Sequence, residues 1–236
     1  MTMTIDHKGT RHFGVSLLIC TVLFVTCLIT SNLLETKLFQ IGRLTLTAGF
    51  IIFPVSYIVN DCMAEVWGFK ITRLVIWLGF ILNFLVVAAG ELAVLLPSAD
   101  CWLDNEPHFN YVFGLAPRIT GASFVAFLIG SFLNAYVMSR MKVLSSGRHF
   151  SLRAIVSTIV GEGADSLVFF PLAFYGSVPH SILIQMMVIQ VIAKTLYEII
   201  ALPLTIRIVK WIKKQEHIDV YDQGISYNIL KVTDIR

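Results

Sequence analysis

Six long apolar stretches, separated by short polar segments, organise this chain. The hydropathy pattern predicts helices near residues 13–31, 48–67, 73–96, 119–139, 153–175 and 181–208. Each has roughly 20 residues or more, which at 1.5 Å rise per residue is enough to cross the hydrocarbon core of a bilayer. Pro97 ends the third stretch, and Pro171 and Pro203 stand near the ends of the last two. The sequence therefore predicts an all-α polytopic membrane protein with six transmembrane helices.

Lysine and arginine are distributed unequally between the two sides that these helices imply. With the N-terminus inside, fourteen basic residues fall on the inner side, and only Lys37, Arg43 and Arg118 fall on the outer side. Basic loops stay in the cytoplasm, so this bias predicts that both termini are cytoplasmic. The expected organisation is a cytoplasmic N-terminal segment, a six-helix transmembrane domain and a cytoplasmic C-terminal tail, over residues 1–12, 13–211 and 212–236.

Composition agrees with a membrane protein whose environment is the lipid bilayer. The chain is 56% hydrophobic and 14% charged, whereas a soluble domain carries about a quarter charged residues. The net charge of +3 is small and argues against a nucleic-acid partner. The four cysteines form no CxxC pair and no Cys/His cluster, so we expect neither a metal site nor a cofactor.

The predicted spans contain an unusual number of charged residues. A charge at the centre of a membrane costs about 3 kcal/mol on insertion scales, so such residues face a partner, a wet cavity or a substrate. A protein that only anchored or scaffolded would not need them. The charged residues inside the spans are Asp61, Glu65, Glu91, Glu162, Asp165, Lys194 and Glu198.

Spacing places these groups together on helix faces. Asp61 and Glu65 are four residues apart, and Glu162 and Asp165 are three apart, so each pair shares one face of its helix. Two neighbouring carboxylates repel, so the second pair requires a proton or a donor from elsewhere. A further stripe, spaced by four residues along the sixth helix, consists of Gln190, Lys194 and Glu198. Structural ion pairing, above all between Lys194 and Glu198, is the alternative interpretation.

Two amides within the predicted spans and a short internal similarity add to this pattern. Asn83 falls mid-span on the third helix and Asn134 in the inner half of the fourth, where each can contact a ligand or form an interhelical hydrogen bond. Residues 55–61 and 156–162 share the pattern Val-Ser-x-Ile-Val-x-acid, on helices that run in opposite directions. This suggests an inverted three-plus-three repeat, which would place a site between the halves near the midplane.

No motif of covalent catalysis is present in the sequence. It contains no HExxH, no GxSxG and no P-loop, the signatures of zinc peptidases, serine hydrolases and nucleotide hydrolases. We therefore predict no catalytic residues and no enzymatic activity, with an intramembrane enzyme kept as an alternative.

Several short segments occur in a specific order along residues 13–230. They are Ser31-Asn32 with Lys37, Phe53-Pro54, Asp61, Glu65-Val66-Trp67-Gly68, Asn83, Ser157-Thr158 through Asp165-Ser166 with Phe169, Lys194 through Tyr197-Glu198 to Leu202-Pro203, Tyr221-Asp222 and Asn228. Together these segments resemble the queuosine precursor transporter family, also described as a vitamin uptake transporter family of six-helix bacterial membrane proteins.

The resemblance implies uptake of a 7-deazaguanine for tRNA modification, across the bacterial inner (cytoplasmic) membrane. The cyano and aminomethyl precursors and queuine are the implied substrates. A carboxylate suits such a base, because it accepts two N–H bonds side by side. The expected substrate-binding residues are Asp61, Asn83, Glu162, Asp165, Gln190, Lys194 and Glu198. The expected ion or proton path involves Glu65, Glu91 and Asn134, although the resemblance implies an acid where Asn134 stands.

Two alternatives for how the chain acts remain open at this level. The chain can act alone as a secondary transporter, or as a substrate-binding subunit for a vitamin or purine-like ligand that needs an ATP-driven partner. It can also form a homodimer. The sequence does not decide which precursor is preferred or which ion drives uptake.

Overall fold

Helices form nearly all of the regular structure. The computed structural model describes residues 4–5, 11–12, 14–34, 37–41, 44–114, 117–176 and 179–231. Its helices are α1 (Val15–Leu34), α2 (Phe53–Val94), α3 (Glu106–Phe113), α4 (Pro117–Leu144), α5 (Phe150–Phe174) and α6 (His180–Glu216). Within the described ranges, all of these except α3 contain a stretch that is long and apolar enough to cross a membrane. The prediction of an all-α polytopic membrane protein is confirmed.

Short strands form two small antiparallel pairs outside the helices. β1 (Thr4–Ile5) pairs with β2 (Arg11–His12), and β3 (Leu38–Ile41) pairs with β4 (Leu44–Thr47). A 3-10 turn at Ala48–Ile51 follows β4. The α-helix thus begins at Phe53 rather than at the predicted residue 48. Pro54 stands in its first turn, where a missing N–H costs nothing.

The helix α2 consists of two helical arms joined at Gly68. A straight helix of 42 residues would be about 63 Å long, far more than a bilayer core. At Gly68 the backbone is non-helical, with φ 78° and ψ 176°. Only glycine adopts this conformation without strain. We refer to residues 53–67 as the first arm and to residues 69–94 as the second arm.

The first arm runs parallel to α4. The Asn60 amide donates to the backbone oxygen of Ser131 at 3.3 Å. Further along both helices, the Lys142 ammonium donates to the backbone oxygen of Glu65. Residue numbers therefore rise together along the two helices.

The second arm runs back along α4 in the opposite direction. Trp77 packs against Phe132, with ring centroids 5.9 Å apart, whereas Phe80 packs against the earlier residue Phe124 at 5.5 Å. The chain therefore reverses at Gly68, and the two arms correspond to the predicted second and third helices. The sequence placed a loop between them, but one glycine makes the turn.

The beginning of α1 and the end of α6 lie at the same end of the bundle. The backbone N–H of Ser16 donates to Glu216 Oε1 at 3.1 Å. The reversal of α2 and the connection between α4 and α5 are also found at this end. We call it the charged end, and it is defined by Glu65, Lys142, Arg153 and Lys213. The helix α6 continues to Glu216, past residue 212, where the sequence placed the start of the tail.

Small residues allow α4 and α5 to pack closely. A Cβ built on Gly130 would lie 2.9 Å from the backbone oxygen of Gly161, and one built on Gly161 would lie 2.9 Å from the backbone oxygen of Gly130. Such contacts are typical of helix pairs in lipid. They fix the position of the α5 carboxylates relative to α4.

The segment 98–117, predicted as a loop, contains the short helix α3. Its residue Phe113 packs over Gly90 near the end of the second arm, where an added Cβ would lie 3.0 Å from the ring. Eight residues are too few for a clear hydropathy period, which is why the pattern did not reveal this helix.

Candidate functional site

An ion cluster lies buried between α5 and α6. The Lys194 Nζ is 2.7 Å from Glu162 Oε2 and 3.9 Å from Asp165 Oδ2. Lys194 and Glu162 are only 2% and 0% exposed, and Asp165 is buried as well. The three-residue spacing along α5 directs both carboxylates towards the same neighbouring helix. Three of the predicted site residues are therefore brought together.

The first arm of α2 supplies an aromatic wall for this cluster. The Lys194 Nζ lies 3.8 Å from the centroid of the Phe53 ring, a cation–π geometry. The ring of Tyr57 packs against Phe53 with centroids 5.5 Å apart. Sequence reasoning did not give Phe53 a site role, although it belongs to the Phe53-Pro54 segment that marked the resemblance.

A second carboxyl pair lies one helical turn further along α6. The carboxyl groups of Asp61 and Glu198 are both buried and lie close enough to interact electrostatically. The Ser157 hydroxyl lies 3.3 Å from Asp61 Oδ1, and the hydroxyl of the neighbouring Thr158 has no hydrogen-bond partner among the described residues. Because Glu198 is four residues from Lys194, the pair and the ion cluster adjoin along α6.

Several buried polar atoms around these groups have no hydrogen-bond partner among the described residues. They are Tyr57 Oη, Glu162 Oε1, Ser166 Oγ, Thr195 Oγ1 and Glu198 Oε2. Buried polar groups in native proteins are nearly always hydrogen-bonded. Unsatisfied donors and acceptors beside an ion cluster are the feature expected of a site that receives a polar ligand.

Two of the other predicted residues lie near this region and two lie further away. Gln190 is half-buried on α6, one turn before Lys194. Asn134 accepts a hydrogen bond from the Asn60 amide at 3.3 Å, on the first arm of α2. Asn83 lies on the second arm, and both polar atoms of its buried amide lack a hydrogen-bond partner within the part of the chain that the structure describes. Glu91 is half-buried near the end of that arm, beside the Gly90 contact with α3.

Glu65 is the centre of an ion network at the charged end. Its carboxylate receives the Arg153 guanidinium on both oxygens, with Nη2 3.1 Å from Oε1. The Lys213 Nζ lies 2.6 Å from Oε1 and the Lys142 Nζ 3.9 Å from it. The network joins α2, α4, α5 and α6, so Glu65 connects four helices at one end of the bundle.

The segment after α6 contributes to this network through Asp219. The Asp219 carboxylate lies 2.9 Å from the Lys213 Nζ and also accepts a hydrogen bond from Lys142. Burial alone would raise the pKa of Asp219, but the hydrogen bonds from both lysines outweigh it and hold that pKa below its usual value. Asp219 is therefore ionised at neutral pH.

Asp222 attaches the same segment to the turn of α2. Its Oδ2 accepts a 2.8 Å hydrogen bond from the backbone N–H of Phe69, the first residue after Gly68. The Ser139 hydroxyl donates to the same oxygen. A carboxylate at a helix N-terminus satisfies an otherwise unpaired N–H and interacts favourably with the helix dipole. Asp222 thus caps the second arm from a position far along the sequence.

Arg73 and Trp77 hold the next part of this segment. The Arg73 Nη1 donates to the backbone oxygen of Asn228 at 2.6 Å, and the Trp77 Nε1 donates to that of Ile229 at 2.9 Å. Sequence reasoning counted Arg73, like Lys142 and Arg153, only as evidence of orientation. Their burial depends on tertiary packing, and Tyr221-Asp222 and Asn228 were noted only as part of the resemblance.

A multi-pass helical bundle with an incompletely satisfied charged cluster in its interior has the architecture of a membrane transporter. Comparison with known proteins agrees. Residues 47–208 match the family described as "Putative vitamin uptake transporter", and this chain belongs to that family.

Three relatives carry queuosine precursor transport in their names. The chain is 28% identical over 189 residues to "Probable queuosine precursor transporter" of Bacillus subtilis, covering 79% of this chain and 81% of the relative. It is 28% identical over 131 residues to "Queuosine precursor transporter" of Escherichia coli, covering 56% of each chain. It is also 28% identical over 134 residues to "Probable queuosine precursor transporter" of Haemophilus influenzae, covering 56% and 53%.

No solved structure matches the chain significantly. The family and the relatives are transporters rather than enzymes, as the sequence predicted. The protein is therefore a multi-pass membrane transporter.

Proposed function

We propose that this transporter imports a queuosine precursor, a 7-deazaguanine base, across the bacterial inner membrane with its charged end in the cytoplasm. The observation that carries the proposal is the buried cluster of Glu162, Asp165 and Lys194 with its unsatisfied polar atoms. The names of the three relatives support the substrate class. The excess of basic residues on one side supports the orientation.

The chemistry of a deazaguanine complements this cluster. Its N1–H and 2-amino group lie side by side, and a carboxylate accepts such a pair with two charge-assisted bonds. We assign this role to Glu162, whose Oε1 has no hydrogen-bond partner among the residues described, and place Asp165 beside it. Lys194 supplies a donor for the carbonyl oxygen of the base and keeps the empty site from carrying two uncompensated negative charges.

Aromatic and polar side chains complete the proposed site. Phe53 and Tyr57 lie beside the ammonium of Lys194 and offer faces on which a flat base can stack. Gln190 lies on the same face of α6 as Lys194, one turn earlier. Asn83 offers an unsatisfied amide from the second arm and lines the route to the site in this proposal.

The charge of the cluster also fits the proposed precursors. Two carboxylates face one ammonium, so one negative charge is left over when both are ionised. The aminomethyl precursor and queuine each carry a protonated amine whose positive charge neutralises it, whereas the cyano precursor relies on the base edge alone.

The test is uptake in bacterial cells that cannot synthesise the precursor and lack their own transporter. When the cells express this protein and receive a low external concentration of 7-cyano-7-deazaguanine, queuosine should appear in their tRNA. Cells with an empty vector should lack it. If E162A, D165A and D61A all leave the queuosine content intact, the site assignment is wrong; if the wild-type protein restores none, the substrate class is wrong.

A further inference from the structure

The backbone groups at the break in α2 take their hydrogen bonds from outside the helix. In an unbroken α-helix the N–H of Phe69 would donate to the backbone oxygen of Glu65. Here the N–H of Phe69 donates instead to the Asp222 carboxylate at 2.8 Å. The backbone oxygen of Glu65 accepts a hydrogen bond from the Lys142 ammonium. The reversal of α2 is therefore held by α4 and by the segment after α6.

Residues 217–231, which we call the strap, contact both arms of α2. On the first arm, the backbone oxygen of Val66 accepts a 3.1 Å hydrogen bond from the N–H of Val220. On the second arm, the side chains of Arg73 and Trp77 donate to backbone oxygens of the strap. The strap therefore crosses the charged end from one arm to the other.

Polar contacts also attach the strap to α4 and α6. The Asp219 carboxylate pairs with Lys142 of α4 and with Lys213 of α6, and the Ser139 hydroxyl of α4 donates to Asp222. The Asp219 side chain is 42% exposed, so water reaches it. Hydrogen bonds that water can replace are given up at a small net cost, and such contacts can open without unfolding the bundle.

An apolar layer lies directly beneath this polar end and separates it from the ion cluster of Lys194. One buried residue from each of four helices forms the layer: Ala64, Met138, Ala154 and Leu202. Ala64 precedes Glu65 and Ala154 follows Arg153, so the layer adjoins the ion network of the charged end. A flat base cannot pass towards this end while the four helices stay in contact.

We propose that the strap and the Glu65 ion network form the cytoplasmic gate of the transporter, closed in this structure, and that the strap must detach before the precursor is released. This inference rests on the function proposed above. The ion network joins α2, α4, α5 and α6, and the strap crosses over it. The four helices cannot separate at the charged end until the polar contacts of the strap are exchanged for water.

A disulfide that fastens the strap to α2 tests the proposal. Positions 66 and 220 are suitable because their backbones are in direct contact, and a disulfide needs Cα atoms about 4.4–6.8 Å apart. The variant V66C/V220C is made in the full-length protein with its four native cysteines replaced by alanine, so that no other thiol competes. It leaves the contacts of Asp219 and Asp222 in place.

Binding and transport should respond differently to this disulfide. The oxidised variant should bind 7-cyano-7-deazaguanine with the affinity of its reduced form. In liposomes it should exchange labelled for unlabelled precursor at least about tenfold more slowly, because opening of the gate limits release. A reductant should restore exchange. The matched controls V66C and V220C, in the same background, should exchange equally fast with and without oxidant.

The outcomes separate the gate from the proposed function. Equal exchange by the oxidised and reduced double variant would overturn the gate and leave the proposed function intact. Loss of binding together with exchange on oxidation would also overturn the gate, because the strap would then determine the shape of the binding site. If the wild type neither binds nor exchanges the precursor, the proposed function itself is wrong.

Hydrogen exchange of the wild type decides if the double variant forms no disulfide. A transporter that carries its substrate must open to the cytoplasm in the loaded state. Saturating precursor should therefore speed exchange of the Phe69 and Val220 amides and leave that of the buried Ala135 in α4 unchanged. Unchanged or slower exchange at Phe69 and Val220 would overturn the gate, since a strap that only stabilises the fold would behave in this way.

Discussion

The Lys194 ammonium lies 2.7 Å from a carboxylate oxygen of Glu162, and both side chains are almost completely excluded from solvent. The same ammonium lies over the ring of Phe53. One cation therefore connects α6 to α5 and to the first arm of α2. These are the three helices in which the sequence predicted pairs or stripes of charged residues, and they meet at Lys194.

Removing the ammonium should destabilise the protein. In K194M, Glu162 and Asp165 stay buried without their cation, and breaking a buried ion pair in this way costs about 3–5 kcal/mol. The apparent melting temperature in detergent should fall well below that of the wild type. The double variant K194M/E162Q should recover part of the loss, because one uncompensated charge is gone.

The matched control for this variant is K210M on the same helix. Lys210 is exposed, so its loss should leave the melting temperature unchanged. Equal melting temperatures for K194M and the wild type would show that the buried ion pair contributes nothing to stability.

Close packing of α4 on α5 should be sensitive to a single methyl group. In G161A the new Cβ would lie 2.8 Å from Asn134 Cβ and 3.0 Å from Tyr57 Cε1. Overpacking of this kind costs about 1–3 kcal/mol and would move α5 with its two carboxylates. We expect lower stability together with weaker precursor uptake.

G163A, two residues along the same helix, provides the control for G161A. Nothing lies within 4 Å of a Cβ built on Gly163, and alanine is the better helix former. Its stability and uptake should equal or exceed those of the wild type. If G163A lost as much stability and uptake as G161A, helix propensity rather than the α4–α5 contact would govern both positions.

The hydropathy pattern was sufficient to predict the helical crossings, because 20-residue apolar stretches have few alternatives in a membrane protein. It did not reveal how the second and third crossings are joined. Lys70 and Arg73 look like residues of an ordinary inner loop, but the turn is made by Gly68 alone and Arg73 is buried. A change of direction at one backbone position leaves no periodic signal.

The charged residues of the ion cluster could be predicted from the sequence, but which residues pair with which could not. The burial cost of charges identified Glu162, Asp165 and Lys194 before any geometry was known. Local spacing favoured a pair between Lys194 and Glu198, whereas the salt bridges of Lys194 described here extend to α5. Which helix faces which depends on packing, and a single sequence does not specify it.

The reversal at Gly68 should tolerate no side chain. Its φ of 78° with ψ of 176° falls in a region that only glycine occupies readily, at a cost of about 1–3 kcal/mol for other residues. A Cβ there would also lie 2.7 Å from Asp222 Oδ1. G68A should therefore lower the melting temperature and expose the segment after α6 to protease. G121A, at a position with open space around it, should do neither.

The ion network of Glu65 should stabilise the charged end. In R153M the carboxylate keeps Lys213 and Lys142 but loses its two guanidinium bonds, which we expect to cost about 1–3 kcal/mol. Hydrogen exchange should rise in the segment 217–231 and at the charged ends of α4 and α5. R148M, which removes an exposed arginine five residues earlier, should leave the exchange unchanged; similar exchange in both variants would contradict the proposed role of Arg153.

Binding of a precursor to the purified protein distinguishes a substrate site at Glu162 from a purely structural ion cluster. Isothermal titration calorimetry should measure the affinity of 7-aminomethyl-7-deazaguanine, with guanine for comparison, for the wild type, E162Q and the surface control D104N. We predict that the wild type and D104N bind the precursor and prefer it to guanine, whereas E162Q, which accepts only one of the two N–H bonds, binds at least about tenfold more weakly. Equal affinity of E162Q and the wild type would contradict the role of Glu162 as acceptor of the base edge, and no binding by the wild type would contradict the proposed substrate class.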